Sequence, residues 1–213
     1  MANTRAFDEN ARAYDDWFED HRSLYESELE AIRSLMPDTG YGIEMGVGSG
    51  RFAEPLGIRI GIEPSPVMRT LARDRGINAI GGIAEKLPLK PETFDYVLFV
   101  TTVCFLTSLS QAFGETFRIL KPQGLVVIGF IEKESTLGRD YQLRKAESRF
   151  YRDASFHTAG EIIRVLKAAG FTDFSFVQTL FSDADKTGAV QAVKEGYGDG
   201  AFVVVRAKKT GRA

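Results

Sequence analysis

Residues Glu44 to Phe52, EMGVGSGRF, follow the short apolar piece YGI and decide the fold of this 213-residue chain. Gly46, Gly48 and Gly50 alternate, with an acid just ahead of them. Alternating glycines after a strand bring a backbone close to a ligand. A P-loop would end the run in Gly-Lys-Ser or Gly-Lys-Thr, whereas Gly50 is followed by Arg51 and Phe52. The dinucleotide fingerprint needs a third glycine at position 51, where it lets helix and strand pack closely. Arg51 occupies that position. The spacing acid-x-Gly-x-Gly-x-Gly instead lets an uncharged or cationic ligand lie over the backbone beside a carboxylate.

Short apolar runs alternate with amphipathic ones on either side. YGIEM, IRIGIEP, INAIGG, FDYVLFVTT and LVVIGFI read as five strands, and the fourth is apolar throughout, as expected when both faces are covered. GRFAEPLG reads as a short helix. SPVMRTLARDRG is a helix with Ser65 as N-cap, Pro66 at its first position and Gly76 beyond its end. A further helix covers roughly Gln111 to Leu120. Thr158 and Glu161 have capping-box spacing and open another that ends at Gly170. FTDFSFVQTLF and GAFVVVRAKK are two more strands joined by a polar loop, with no helix between them, which predicts an antiparallel pair. Upstream, Phe7 to Met36 reads as helical, with Tyr25, Leu29, Ile32 and Met36 on one stripe. The alternation predicts one α/β domain with a mainly parallel sheet.

A second acid, Glu63, ends the second strand about 20 residues past the first, where a carboxylate can accept both hydroxyls of a ribose. The net charge of −2 and the lack of a basic stripe argue against nucleic acid and favour a small-molecule partner. No apolar run approaches the ~20 residues of a membrane helix. The lone Cys104 and a polar opening stretch unlike a secretory leader make the cytoplasm the expected compartment.

With these motifs in place, the chain from about Tyr41 to Lys209 resembles the class I S-adenosylmethionine-dependent methyltransferases, in the small-molecule branch that includes quinone-biosynthesis C-methyltransferases. IEMGVGSG matches the family's first motif, IGIEPSPVMRTLAR the second, GGIAEKLPLKPETFDYVLF the third and fourth, and FRILKPQGLVVIGF the fifth strand with its lead-in helix. FHTAGEIIRVLKAAGF resembles the closing helix. The resemblance implies a doubly wound, Rossmann-like, seven-stranded sheet in the order 3-2-1-4-5-7-6, with strand seven antiparallel. Residues 1–38 would form a helical cover, 41–131 the cofactor-binding half, 132–155 a substrate lid, and 156–209 the closing helix and strands.

It also implies site roles. Glu44, Gly46, Gly48 and Gly50 would hold the methionine end of S-adenosylmethionine and Glu63 its ribose. Pro64 and Met68 would flank the adenine, Ala84 would offer its backbone N–H, and Val100 and Thr101 would lie under the methionine portion. Where many relatives carry an Asp, this chain has Ile83, leaving adenine to backbone groups or to Glu85. Tyr14 would fold over the cofactor, with Trp17 nearby. Arg139, Tyr141, Arg144 and Tyr151 would shape the acceptor pocket.

Methyl transfer is an in-line displacement, in which holding the reactants in register supplies up to ~7–11 kcal/mol. No catalytic residue is assigned from sequence. His21 and His157 read as polar helix residues, Cys104 as a buried hydrophobe, and together they make no zinc site. The rivals are a nicotinamide-dependent oxidoreductase, which Arg51 opposes, and a non-catalytic S-adenosylmethionine-binding regulatory protein.

Overall fold

The run FDYVLFV becomes a strand at the middle of an eight-stranded sheet. In chain order the strands are β1 (Gly42–Met45), β2 (Ile60–Ile62), β3 (Asn78–Ile80), β4 (Phe94–Val100), β5 (Leu120–Ile131), β6 (Phe171–Thr179), β7 (Lys194–Glu195) and β8 (Phe202–Lys209). They lie side by side as β3-β2-β1-β4-β5-β8-β6-β7. The computed structural model describes residues 4–181 and 188–211; residues 182–187, in the polar loop expected after β6, lie outside the described residues. The expected order holds, with β8 in the place of strand seven. β8 is antiparallel to both β5 and β6, while β1 to β5 pair in parallel. The eighth strand is β7, two residues that pair with Val177 and Gln178 of β6.

Strand alternation divides the core into two layers. In β8, Phe202 and Val204 join one cluster while Val203, Val205 and Ala207 join the other. Helix α2 (Arg22–Leu35) covers the first face with Leu29, Ile32 and Leu35. Helices α4 (Leu109–Ile119) and α6 (Ala159–Ala168) cover the second with Phe113, Ile119, Ile162 and Leu166. Each such side chain contributes about 1.5–3 kcal/mol on leaving water. The remaining helices are α1 (Arg5–Asp20), α3 (Pro66–Asp74) and α5 (Thr136–Leu143). Ser65 caps α3 by accepting the Met68 N–H, and Thr158 with Glu161 forms the reciprocal capping box of α6.

Two sequence expectations need correction. The stretch Phe7 to Met36 is two helices, broken at His21 (φ −119°, ψ 43°), and the first is itself kinked at Asn10 (φ −130°, ψ 26°). The stretch GRFAEPLG forms successive turns instead of a helix. Pro55 has no N–H to return to Arg51, and Gly57 at φ +71° ends the turns.

Candidate functional site

The site is built where β1 leaves the sheet. Gly46 and Val47 donate their N–H groups to the carbonyl of Ile62, folding the chain back beside β2. Gly46 takes φ +67°, and a Cβ there would lie 2.6 Å from the side chain of Thr102. Gly48 takes φ +53°, and a Cβ on it would project toward the Tyr14 ring, meeting its hydroxyl at 3.6 Å. Gly46 therefore has both a left-handed backbone and no room for a side chain, while at Gly48 the left-handed backbone alone favours glycine.

Glu63, at the carboxyl end of β2, reaches this turn from the side. Its Oε2 accepts the Gly48 N–H at 2.9 Å and its Oε1 the Ser65 N–H at 2.8 Å. A carboxylate has about four lone-pair sites, so both oxygens can still accept hydroxyls from the cavity. Burial pushes the Glu63 carboxyl up, and the two backbone donors oppose that. Glu44 lies beneath the turn, 2% exposed, and its Oε2 has no hydrogen-bond partner. Burial first, and then the negative charge of Glu63, hold it well above the usual carboxylate range. It is a carboxyl in need of a cation or a proton.

Above the turn, α1 is fastened by ions. Asp15 accepts from Ser49 Oγ (2.7 Å), Arg51 Nε (3.0 Å), Arg51 Nη2 (2.9 Å) and Arg75 Nη2 (2.6 Å). Burial raises the Asp15 carboxyl, but hydrogen bonds from Arg51, Arg75 and Ser49 outweigh it and bring the pKa down to about 2. Arg51 also pairs with Glu19 and lies over the Phe18 ring. The residue that breaks the dinucleotide fingerprint is thus the clasp of the cover. At the other end of α1, Asp8 accepts from Ser65 Oγ at 2.6 Å and Thr4 Oγ1 at 2.8 Å.

These elements enclose a cavity of ≈ 530 Å³, a size suited to small molecules. Its floor carries Gly46, Gly48, Val100 and Thr101, and one wall has Glu63, Pro64, Met68, Ile83 and Glu85. Thr101 is held at φ +49°, a left-handed conformation of the kind that clusters at functional sites. The roof is aromatic. Phe7 and Tyr14 of α1 meet Phe150 with ring centroids 5.5 and 5.6 Å apart, while Tyr151 stacks on Phe105 and Tyr141. Such pairs are each worth ~0.5–1.5 kcal/mol beyond burial. The 132–155 segment is drawn over the site by the Ser155 N–H, which donates to the Cys104 carbonyl at 2.7 Å.

Of the residues expected from sequence, Tyr14, Gly46, Gly48, Glu63, Pro64, Met68, Ile83, Glu85, Val100, Thr101, Tyr141 and Tyr151 line the cavity, as does Trp17. Glu44 does not line the cavity but is buried beneath the turn; Gly50 lies behind the turn against Ile77, and the Ala84 methyl is in the core, leaving only its backbone for a ligand. Glu85 Oε1 accepts the Thr107 N–H at 2.7 Å, pinning the loop after β4. Arg139 and Arg144 do not line the cavity. Leu137 and Tyr141 pack against the core and Gly138 is buried, so Arg139 lies on the outer face of α5 and Arg144, at its end, is likewise exposed. Arg144 pairs there with Asp140.

His21 stacks on Trp17 and its Nδ1 lies 3.1 Å from the Trp17 carbonyl, outside the cavity lining. Burial holds the His157 imidazole below its ordinary value, and its Nδ1 lies 3.6 Å from Glu161 Oε2. Cys104 lines the cavity, but burial pushes its thiol up to about 12, far from a thiolate at neutral pH. No cluster among the described residues could hold a metal ion, and no described helix is long and apolar enough to cross a membrane.

The lining groups that the sequence reading does not anticipate include the rings of Phe7 and Phe105 and the carboxyl of Glu28. Glu28 carried a signal. It stands three residues after Tyr25 and four before Ile32, which places an acid on the apolar stripe of α2.

A glycine turn, an acid on the next strand and a roofed cavity at the carboxyl ends of parallel strands define a nucleoside-binding enzyme of the doubly wound class. The family model described as "Methyltransferase domain" matches residues 43–128. A Thermotoga maritima protein described as an S-adenosylmethionine-dependent methyltransferase, "possible histamine N-methyltransferase", is 46% identical; the match covers 98% of this chain and 100% of that one, with a TM-score of 0.94. An uncharacterized protein of Methanocaldococcus jannaschii is 43% identical over 203 residues, 95% of this chain and 98% of its own. A malonyl-[acyl-carrier protein] O-methyltransferase of Methylococcus capsulatus is 27% identical over 165 residues, 71% of this chain and 58% of its own. The chain belongs to the class I S-adenosylmethionine-dependent methyltransferases. Its cofactor is S-adenosylmethionine.

Proposed function

We propose that the protein moves a methyl group from S-adenosylmethionine to a small-molecule acceptor held under the aromatic roof. The observation that carries this is the cavity itself: ≈ 530 Å³, floored by glycine backbone and closed above by rings. The residues present suit the cofactor. The bare floor at Gly46 and Gly48 accepts its methionine portion, and Glu63 has lone pairs left for two ribose hydroxyls. Glu44, buried beneath the glycine turn and outside the cavity lining, has an oxygen without a partner. Met68, Pro64 and Ile83 supply apolar surface suited to a purine, with Glu85 beside them. When bound, S-adenosylmethionine supplies a methyl group on a sulfonium leaving group. The chain orients it, and the roof keeps water away.

A roofed cavity of this size suits a small acceptor better than nucleic acid, and the slightly acidic chain is in keeping with that. The cytoplasm is the proposed compartment, in keeping with the single free Cys104. The acceptors named for the two relatives, histamine and a malonyl carrier, differ in charge. Calorimetry with S-adenosylhomocysteine and NAD, followed by an acceptor screen with labelled S-adenosylmethionine over amines, phenols, thiols, carboxylates and quinone precursors, tests the reading. Tighter binding of NAD, or no methyl transfer to any acceptor class, would sink it.

A further inference from the structure

The cavity lining combines two groups of residues. Glu63, Met68, Ile83 and Glu85 form one, and Glu28, Tyr141, Tyr151 and Cys104 the other, with Tyr14 between them, its phenol acted on by both Glu63 and Glu28. Among the described residues no Lys, Arg or His lines the cavity, whereas Glu28, Glu63, Glu85 and Asp153 do. Backbone N–H groups hold the oxygens of Glu63 and one oxygen of Glu85. Glu28 differs: it is 5% exposed, and its carboxyl makes no hydrogen bond or ion pair among the described residues. Its charge acts on the phenols of Tyr14 and Tyr151, which places it near those two roof rings; Glu63 and Glu44 act on Tyr14 as well.

A buried carboxyl without a partner is costly to keep, and it repays that cost when a cation or a proton arrives. Around it the walls are rings, whose faces attract cations within about 6 Å. An acceptor bearing carboxylate or phosphate would face acids with no balancing base. We propose that Glu28 receives the proton of a protonated amine acceptor and, with the aromatic walls, forms the subsite that selects it. The proposal rests on the methyl-transfer reading.

The step balances. The acceptor enters as R–NH3+ against the Glu28 carboxylate, and the proton passes to the carboxylate, leaving R–NH2. The nitrogen lone pair then forms the N–C bond as the C–S bond breaks, the bonding pair stays on sulfur, and the product leaves as R–NH2–CH3+. Burial pushes the Glu28 carboxyl up to about 8, near the range in which a group can take a proton and return it at neutral pH. The other titratable groups of the lining are Tyr14, Tyr141, Tyr151, Cys104, Glu63, Glu85 and Asp153, and Glu44 acts on Tyr14 from beneath the turn. Burial holds Tyr14, Tyr151 and Cys104 in their neutral forms at neutral pH.

The test is calorimetry on the full chain with S-adenosylhomocysteine present. The probes are 2-phenylethylamine and 2-(imidazol-4-yl)ethylamine, against 3-phenylpropionate as a similarly shaped anion. We expect at least one amine to bind about tenfold or more tightly than the anion, because a buried charged hydrogen bond is worth at least that. Its affinity should rise from about pH 6 to about pH 8, with proton release read from buffers of different ionisation enthalpy. Glu28→Gln should lose about tenfold or more in amine affinity, together with the pH dependence, while Glu28→Asp keeps the pH dependence. S-adenosylhomocysteine affinity should stay within about twofold in both variants. If S-adenosylhomocysteine binds but neither amine does, or the anion binds as well as the amines, the proposal is wrong. Unchanged amine affinity and pH profile in Glu28→Gln would overturn it as well. Failure of the wild type to bind S-adenosylhomocysteine would overturn the methyl-transfer reading instead.

Discussion

Glu28→Gln removes one ionisable group from the interior, and the stability of the ligand-free protein should register that loss as a function of pH. In the unfolded chain Glu28 titrates near 4.5, and in the folded chain burial moves it up to about 8. Below 4.5 both states hold the proton and the group costs nothing. From about 4.5 to about 8 the unfolded chain gives up its proton while the folded chain keeps it, so stability falls with every pH unit. Above 8 the penalty is complete. The interval, at ~1.4 kcal/mol per pH unit, sets a ceiling of about 5 kcal/mol. The cavity beside the carboxyl admits water and relaxation, which brings the expected value to ~2–3 kcal/mol. Urea unfolding of both proteins, stripped of ligand, at about pH 5 and about pH 8.5 isolates the effect by subtraction. Glu28→Gln should be near neutral at the lower pH and stabilising by that amount at the higher. A difference of the same size at both pH values would refute the reasoning.

Four further outcomes are expected. Asp15→Asn should destabilise by ~1–2 kcal/mol at pH 7, since the clasp leaves Asp15 only 19% exposed; this contribution is present above pH 3.8, fades as pH falls toward 2, and is read by urea unfolding. Glu63→Ala should weaken S-adenosylhomocysteine binding by ~1–3 kcal/mol in calorimetry, and an unchanged affinity would remove Glu63 from the ribose site. Trp17, the single tryptophan, lines the cavity, so its emission should shift or quench when S-adenosylhomocysteine saturates. Arg139→Ala and Arg144→Ala, on exposed positions, should change stability and S-adenosylhomocysteine affinity by less than about 0.5 kcal/mol, and a larger loss in binding would return them to the pocket.

Local chemistry was legible where one residue type has one job. Ser65 with Pro66, Thr158 with Glu161, and the apolar run of β4 announced their elements because capping and two-sided burial leave few alternatives. The glycine turn and Glu63 were legible as a pair, since their spacing alone carries both to one strand edge. Tertiary geometry was not. The break at His21 has no Pro or Gly to mark it, and β7 has no apolar pattern because two residues of β6 supply its pairing. Arg139 and Tyr141 are two residues apart, a separation that puts them on different helix faces, and composition cannot say which face turns inward. Glu28 is hidden for the opposite reason: α2 also carries Glu26 and Glu30, and sequence alone does not set apart the acid that lies on its apolar stripe.

The ends of the sheet also bear on how this protein behaves when crowded. β3 has three residues and β7 two, so neither border offers the length of backbone another chain would need to extend the sheet. β6 is the vulnerable neighbour: nine residues, with Phe171, Phe174, Phe176 and Val177 among them. β7 covers its outer side at Val177 and Gln178, places one cation and one anion there, and lays Lys194 over the Phe181 ring at 4.2 Å. Those two charged residues are a guard rail. They put charge at the end of the β6 edge where a neighbouring chain would otherwise find a bare template for a fibre.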